Sequence, residues 1–267
     1  MNEPLELAAA IPPRLALGID VGGTGVKAAV VDLASGILVS DRIREKTPQP
    51  STPEAVLGTV RAVVARLEAA GHATAELPAG AGLPSVIKSG RVMTAANIDQ
   101  AWVGAPAREL LKRSLGRPVL VLNDADAAGL AEMRFGAGAG EQGMVIMLTV
   151  GTGIGSALFD GGRLVPNLEL GHLQFRNRDA ETIVSASARE RRRTGWKRWA
   201  RDFSSYLAML ERYFWPDLII IGGGLSKEAG RYLPLLETRC RLSVARNLNT
   251  AGIIGAALAA AEGVAQP

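Results

Sequence analysis

The feature that most constrains this chain is a glycine-rich hairpin written twice. The stretch "DVGGTGVKAAVVDLASGILV" (residues 20–39) returns as "TVGTGIGSALFDGGRLV" (residues 149–165). Thr24 matches Thr152, Gly25 matches Gly153 and Asp32 matches Asp160, all at one offset of 128 residues. Each copy holds a Gly/Thr turn, an apolar run, an Asp, a second turn and another apolar run. The chain has 267 residues, and one core is served by about 100–150. The duplication therefore predicts two related α/β lobes with a cleft between them. Two such turns facing across a cleft would offer backbone N–H groups to one polyphosphate chain. Glycine is needed there because a Cβ would hold the backbone away from the phosphates.

Around each hairpin the pattern alternates. Leu15–Ile19, Val26–Val31 and Ile37–Arg44 read as a meander of strands. Val56, Val60, Val63, Val64 and Leu67 make one stripe of a helix over Glu54–Ala70 that stops at Gly71. A short strand at Gly80–Leu83, a helix over Pro106–Leu115 and a buried strand at Val119–Leu122 follow. The second copy starts at Met144, after a surface connection over Ala137–Gly143. It continues with a helix over Arg198–Tyr213, a strand leading into "GGGLS" with a helix opening at Ser226, and an apolar closing helix over Ala251–Glu262. The expected division is a flexible arm over residues 1–14, a first lobe over 15–127 with 251–264, and a second lobe over 128–250.

Several classes are excluded. The single cysteine, Cys240, rules out an internal disulfide and a multi-cysteine zinc site, and points to the cytoplasm. No apolar run reaches the roughly 18 residues of a membrane span, and the N-terminus lacks the pattern of a signal peptide. "GAGEQG" at 138–143 precedes a strand instead of opening a helix, so it is not a dinucleotide fingerprint, and there is no G-x-x-x-x-G-K-[ST] loop.

Five stretches in order, "GIDVGGTGVKAAVVD", "NDADAAGLAE", "LTVGTGIGSALFDG", "ELGH" and "IIIGGGLS", resemble the ROK sugar kinases of the actin-like ATPase superfamily. "AANIDQAW" and the run from Gly195 to Lys227 resemble the polyphosphate glucokinase branch. The resemblance implies an actin-like (ribonuclease H-like) α/β fold of two lobes. It makes Asp124 the general base for attack by a sugar hydroxyl on a phosphoryl group; Asp126 then fits the capping of the next helix. It places Ser85, Asn97, Asn123, Glu169, His172 and Glu181, with Asp124, on the sugar, and Asp99 as a weaker candidate. Asp20, Gly22, Gly23, Thr24, Lys27, Gly151, Thr152, Gly153, Gly223 and Gly224 are then the phosphate and nucleotide residues. Asp20 would contact Mg²⁺, through water, which suits an ion that keeps its waters and takes few carboxylates. Family members carry a three-cysteine zinc site after E-x-G-H; here "LQFRNRDAE" follows His172, so no zinc is expected.

Net charge is +4, but residues 188–201 carry seven Lys or Arg against one Glu. Beside the resemblance, Arg189, Arg192, Arg193, Lys197, Arg198 and Arg201 become candidates for a polyphosphate track. The expected partners are glucose, mannose, inorganic polyphosphate and ATP, with neither nucleic acid nor membrane, and a homodimer is compatible with the family. The expected activity is transfer of a terminal phosphoryl from polyphosphate or ATP to the 6-hydroxyl of glucose. Rival readings are an ATP-only ROK kinase for another hexose, a non-catalytic ROK regulator and an actin-like filament. The regulator is disfavoured because too few residues precede the first strand for a DNA-binding module, and the filament because of Glu169 and His172.

Overall fold

The computed structural model describes residues 14–264. The expected arm, apart from Arg14, lies outside them. The first half runs β1 (Leu15–Gly22), β2 (Gly25–Asp32), β3 (Ile37–Leu38), β4 (Ile43–Glu45), α1 (Pro53–Ala69), β5 (Ala79–Leu83), β6 (Ile87–Lys88), β7 (Arg91–Val92), α2 (Ala107–Leu115), β8 (Leu120–Asn123) and α3 (Asp124–Phe135). The second runs β9 (Val145–Val150), β10 (Ile154–Asp160), β11 (Arg163–Val165), β12 (Gln174–Phe175), β13 (Arg178–Asp179), α4 (Glu181–Val184), α5 (Ala186–Arg191), α6 (Trp196–Phe214), β14 (Leu218–Gly222), α7 (Ala229–Tyr232), β15 (Arg241–Val244) and α8 (Ala251–Glu262).

The duplicated hairpin becomes a duplicated sheet. One sheet has the order β3-β2-β1-β5-β8 with β4 also on β2; the other has β11-β10-β9-β14-β15. In each, an antiparallel meander is continued by two parallel strands. The short polar-free runs at β5 and β14 are buried at every position, as strands covered on both faces require. Trp102, Val60 and Leu67 fill the core of the first sheet, and Trp199, Phe203 and Tyr206 on α6 fill that of the second. The two buried indoles donate their N–H to the Ser51 and Val184 carbonyls at 2.9 and 3.0 Å, so each large apolar body is buried without orphaning its polar atom.

A third apolar cluster lies between the sheets, formed by residues of β1, β2, α3, β9, β10, β14 and α8. Helix α8 packs on α3, β1 and β5. Its approach is close enough that a Cβ on Gly18 or Gly80 would strike the carbonyls of Ile253 and Ala256, and one on Gly255 that of Ala127. The buried Glu132 carboxylate adds a polar tie, accepting the N–H groups of Ala137, Arg246 and Asn247 at 2.8, 3.0 and 2.6 Å.

Two expected elements are corrected. Ile37–Arg44 is not one strand: β3 and β4 pair with the two ends of β2, and between them the Ser40 hydroxyl accepts the Val30 N–H at 2.9 Å. That side-chain bond takes the donor the ladder would have used. No α-helix opens at Ser226. Gly223 sits at φ +75°, a 3₁₀ turn covers Gly224–Glu228, and the Ser226 hydroxyl donates to the Gly223 carbonyl at 2.7 Å. The α-helix itself, α7, starts three residues later at Ala229.

Candidate active site

Strand β8 ends on a residue that starts the next helix. Asn123 is the N-cap of α3, and its Oδ1 accepts the N–H groups of Ala125 and Asp126 at 2.8 and 3.0 Å. The cap fixes the first turn of α3 and so presents Asp124 to a cavity of about 390 Å³ between the sheets. Gly23, Thr24 and Asn97 line it from the first half, and Gly151, Thr152, Gly153, Gly155 and Gly223 from the second, with Glu169, His172 and Glu181 beside them. The two glycine turns thus face one space.

Burial, and then the nearby Asp20 and Glu169 carboxylates, push the Asp124 carboxyl up to about 7. An aspartate so raised accepts a proton near neutral pH, which suits a general base. Asp20 lies outside the cavity lining, on β1. Its Oδ2 takes the Lys27 ammonium at 2.6 Å across the first hairpin. Lys27 is therefore the counter-ion of Asp20 and, like it, lies outside the cavity lining. The donor set fits magnesium in one way only. Among the described residues no cluster of three or more His, Cys, Asp or Glu can hold a metal, so no protein cage exists. A carboxylate at Asp20, near Asp124, can hold an ion that keeps most of its waters and takes phosphate oxygens.

The second turn is braced by side chains. Glu181 opens α4, and its Oε2 accepts the Ile154 N–H at 3.0 Å. A Cβ on Gly153 would strike that carboxylate, and one on Gly171 the Ile154 carbonyl, which explains two glycines of the site. The Tyr206 hydroxyl donates to the Leu170 carbonyl at 3.1 Å, and Ser156 binds both Leu168 and Leu170. These bonds hold the Glu169–His172 turn over the cavity. Burial raises the Glu169 carboxyl. His172 is raised chiefly by its hydrogen bond with Asp179, Nδ1 to Oδ2 at 2.9 Å, and its Nε2 is 3.9 Å from Glu169 Oε2.

Some expected residues are not brought into the cavity. Ser85 lies behind it: the hydroxyl is buried and unpaired, and its carbonyl accepts from Asn123 Nδ2 at 3.2 Å. Asn123 lines the cavity, yet its Oδ1 is spent on the cap. Asp126 does not cap α3; it accepts the Asn167 N–H at 2.8 Å, and burial raises it to about 7. Asp99 caps the 3₁₀ turn at Gln100–Trp102, accepting the Ala101 N–H at 2.8 Å. Gly22 and Gly224 are outside the lining. In the basic segment, Arg189 stacks on Trp196 at 4.0 Å and Arg192 donates to the Ile183 carbonyl at 3.1 Å, whereas Arg193, Lys197, Arg198 and Arg201 are exposed. Arg191 reaches the second turn through Ser187, whose hydroxyl donates to the Thr152 carbonyl at 2.5 Å.

Sequence reasoning missed Asn167 and Asp179. Asn167 binds both backbone groups of Ile87, each at 2.8 Å, and so joins the second half to the first. Its φ of +63° had a signal in the sequence: an Asn after Pro166 is a residue that tolerates the left-handed region.

A model of the ROK family matches residues 16–185. The chain is 45% identical over 258 residues to a polyphosphate glucokinase of Mycobacterium tuberculosis, spanning 96% of this chain and 95% of that protein. The crystal structure of the inorganic polyphosphate/ATP-glucomannokinase from Arthrobacter sp. strain KM matches with a TM-score of 0.90 at 48% identity, over 94% of this chain and 100% of that one. A ROK family glucokinase from Streptomyces griseus, in complex with glucose and AMPPNP, matches with a TM-score of 0.77 at 28% identity, over 93% and 100%. The architecture is that of the actin-like ATPase sugar kinases, and the chain belongs to the ROK family.

Proposed function

We propose that this protein transfers the terminal phosphoryl group of inorganic polyphosphate or ATP to the 6-hydroxyl of glucose, and of mannose, with Asp124 as general base. One observation carries the reading: Asp124, raised toward neutral pH, lines the same cavity as both glycine turns and the Glu169–His172 turn. The relatives supply the chemistry, since a polyphosphate glucokinase and a polyphosphate/ATP-glucomannokinase match nearly the whole chain.

In this reading Glu169 and His172 hydrogen-bond the sugar and aim its 6-hydroxyl at Asp124. Asp124 takes the hydroxyl proton as the oxygen attacks the terminal phosphorus. The new O–P bond forms as the bond from that phosphorus to the rest of the donor breaks, leaving ADP or a shortened polyphosphate. Backbone N–H groups of the Gly23–Thr24 and Gly151–Gly153 turns cradle the donor's oxygens. Kinases of this type need a divalent metal; magnesium, held at Asp20 through water, would neutralise charge on the phosphates. Closure of the halves on the sugar would shut out water that otherwise accepts the phosphoryl group. Arg193, Lys197, Arg198 and Arg201 form the outer part of the proposed track for long polyphosphate, and Arg191 its inner end. Assembly as a homodimer and work in the cytoplasm complete the reading; among the described residues no helix is long and apolar enough to cross a membrane.

The test is hexose 6-phosphate formation from glucose with Mg²⁺, comparing polyphosphate, ATP and no donor, in the parent and in Asp124→Ala. Activity lost in the variant supports donor, reaction and base together. Absence of product with either donor sinks the sugar assignment. Activity with ATP alone removes the track, as would equal changes in KM for polyphosphate and ATP when Arg193, Lys197, Arg198 and Arg201 are reversed in charge.

A further inference from the structure

We infer that Asp179 is a positioning residue for His172, fixing the imidazole so that Nε2 is turned away from the β12–β13 hairpin and toward the substrate. The inference rests on the reading of His172 as a sugar ligand. Asp179 does not line the cavity, whereas His172 does, so any effect of Asp179 on the sugar must pass through the ring. The contact is Nδ1 to Oδ2 at 2.9 Å. An aspartate on Nδ1 holds that nitrogen as the donor and leaves Nε2 to face the ligand, as carboxylate–histidine pairs do elsewhere.

The hairpin that carries Asp179 is built to stay in place. It pairs Gln174 with Asp179 and Phe175 with Arg178. Its two turn residues, Arg176 and Asn177, sit at φ +52° and +63°, the geometry of the tight turn that matches strand twist. At the tip, Arg176 binds the nearly buried Asp202 of α6 at 2.6 Å. Beneath it, Phe175 packs edge-on to Tyr206, with centroids 6.1 Å apart. The Asp179 backbone is held as well, its carbonyl accepting the Thr182 hydroxyl at 2.7 Å. With its main chain fixed by these contacts, the Asp179 side chain is committed to the ring. The groups that face His172 are Asp179, Glu169 and Glu181, all acidic, and only Asp179 is within hydrogen-bond distance.

The test uses the full chain. The sequence has two histidines, His72 and His172, so His72→Gln leaves one imidazole to observe by nitrogen-15 NMR. In that background Asp179→Ala is expected to abolish the Nδ1–H signature and lower the titration midpoint of His172. Asp179→Asn, which keeps an acceptor without charge, is expected to lower the midpoint but retain the signature. In kinetics, Asp179→Ala should raise the glucose KM about ten-fold, the scale of one charge-assisted hydrogen bond, with the KM for polyphosphate and ATP unchanged; Asp179→Asn should restore part of the loss. An unchanged His172 spectrum in Asp179→Ala overturns the inference. So does a rise in donor and glucose KM together with a lowered melting temperature, which marks general damage to the hairpin. A changed spectrum with an unchanged glucose KM supports the Asp179–His172 pair and overturns the placing of His172 on the sugar.

Discussion

Replacing Asp124 by Asn should abolish activity and make the protein more stable at pH 8. The native carboxyl titrates at about 7 against 3.8 for an ordinary aspartate, chiefly because of burial. A raised native value means the folded chain binds the proton more tightly than the unfolded one. Stability from this group is therefore greatest below the unfolded value and is lost as pH rises from about 4 to about 7. Above pH 7 the full displacement corresponds to roughly 4 kcal/mol of destabilisation. Asp124 also opens on the cleft, where water screens the charge, and about 2 kcal/mol is the expected effect. Asn is nearly isosteric and forfeits only a favourable charge at the N-terminus of α3, about 0.5 kcal/mol. The net gain at pH 8 should raise the melting temperature by about 3–6 °C for a chain of this size. The gain should shrink toward pH 5 and vanish near pH 4. Thermal melts and urea transitions followed by tryptophan fluorescence at pH 4.5, 6 and 8 measure it. A variant less stable than the parent at pH 8, or a difference constant across this range, refutes the assignment of a desolvated, charge-crowded carboxylate.

Four more predictions rest on the same structure. If Asp124 is the base, it works only when deprotonated, so kcat should fall as pH drops through about 7; a kcat profile flat down to pH 5 excludes it. Asn123→Ala removes the cap on α3 and should cost about 1 kcal/mol in urea unfolding, with a fall in kcat because the first turn no longer fixes Asp124. Lys27→Met strips Asp20 of its counter-ion and should lower the Mg²⁺ concentration for half-maximal rate while leaving donor KM unchanged; a raised donor KM would instead return Lys27 to the phosphates. Asn167→Ala deletes two hydrogen bonds to Ile87 and puts Ala at φ +63°. It should destabilise by roughly 2–3 kcal/mol, and an unchanged melting temperature would show that the link between the halves carries no weight.

What was legible in the sequence was what depends on neighbours along the chain. The Gly/Thr turns, the apolar runs and the 128-residue offset all express strand and turn geometry, which short stretches determine. The two sheets repeat one strand order because the same local pattern was written twice. Polar pairings were not legible, because they depend on which surfaces meet. Asp126 has the spacing of a cap, yet Asn123 takes that role and leaves Asp126 for Asn167, 41 residues away. Lys27 has the reach for a phosphate, yet the antiparallel register sets it opposite Asp20, and a nearby carboxylate is the partner it finds.

The same division explains why acidic groups gather here. Asp20, Glu169 and Asp126 each raise the proton affinity of Asp124, and Glu169 raises that of Asp126, a cost that a protein shaped only for stability would remove by substitution with neutral residues. Two of the four are partly compensated, Asp20 by Lys27 and Asp126 by the Asn167 N–H. Asp124 has no ion pair, only the Ala125 N–H offsets its charge, and among these four it is the one that the N-cap of α3 aims into the cavity. A buried carboxylate left short of partners is poised to take a proton from a ligand. Its compensated neighbours keep the field negative, which favours the proton's arrival and, with a divalent cation, the binding of the phosphates. In the proposed reaction the base is the one of these four carboxyls that opens on the cavity with its proton affinity raised to about 7.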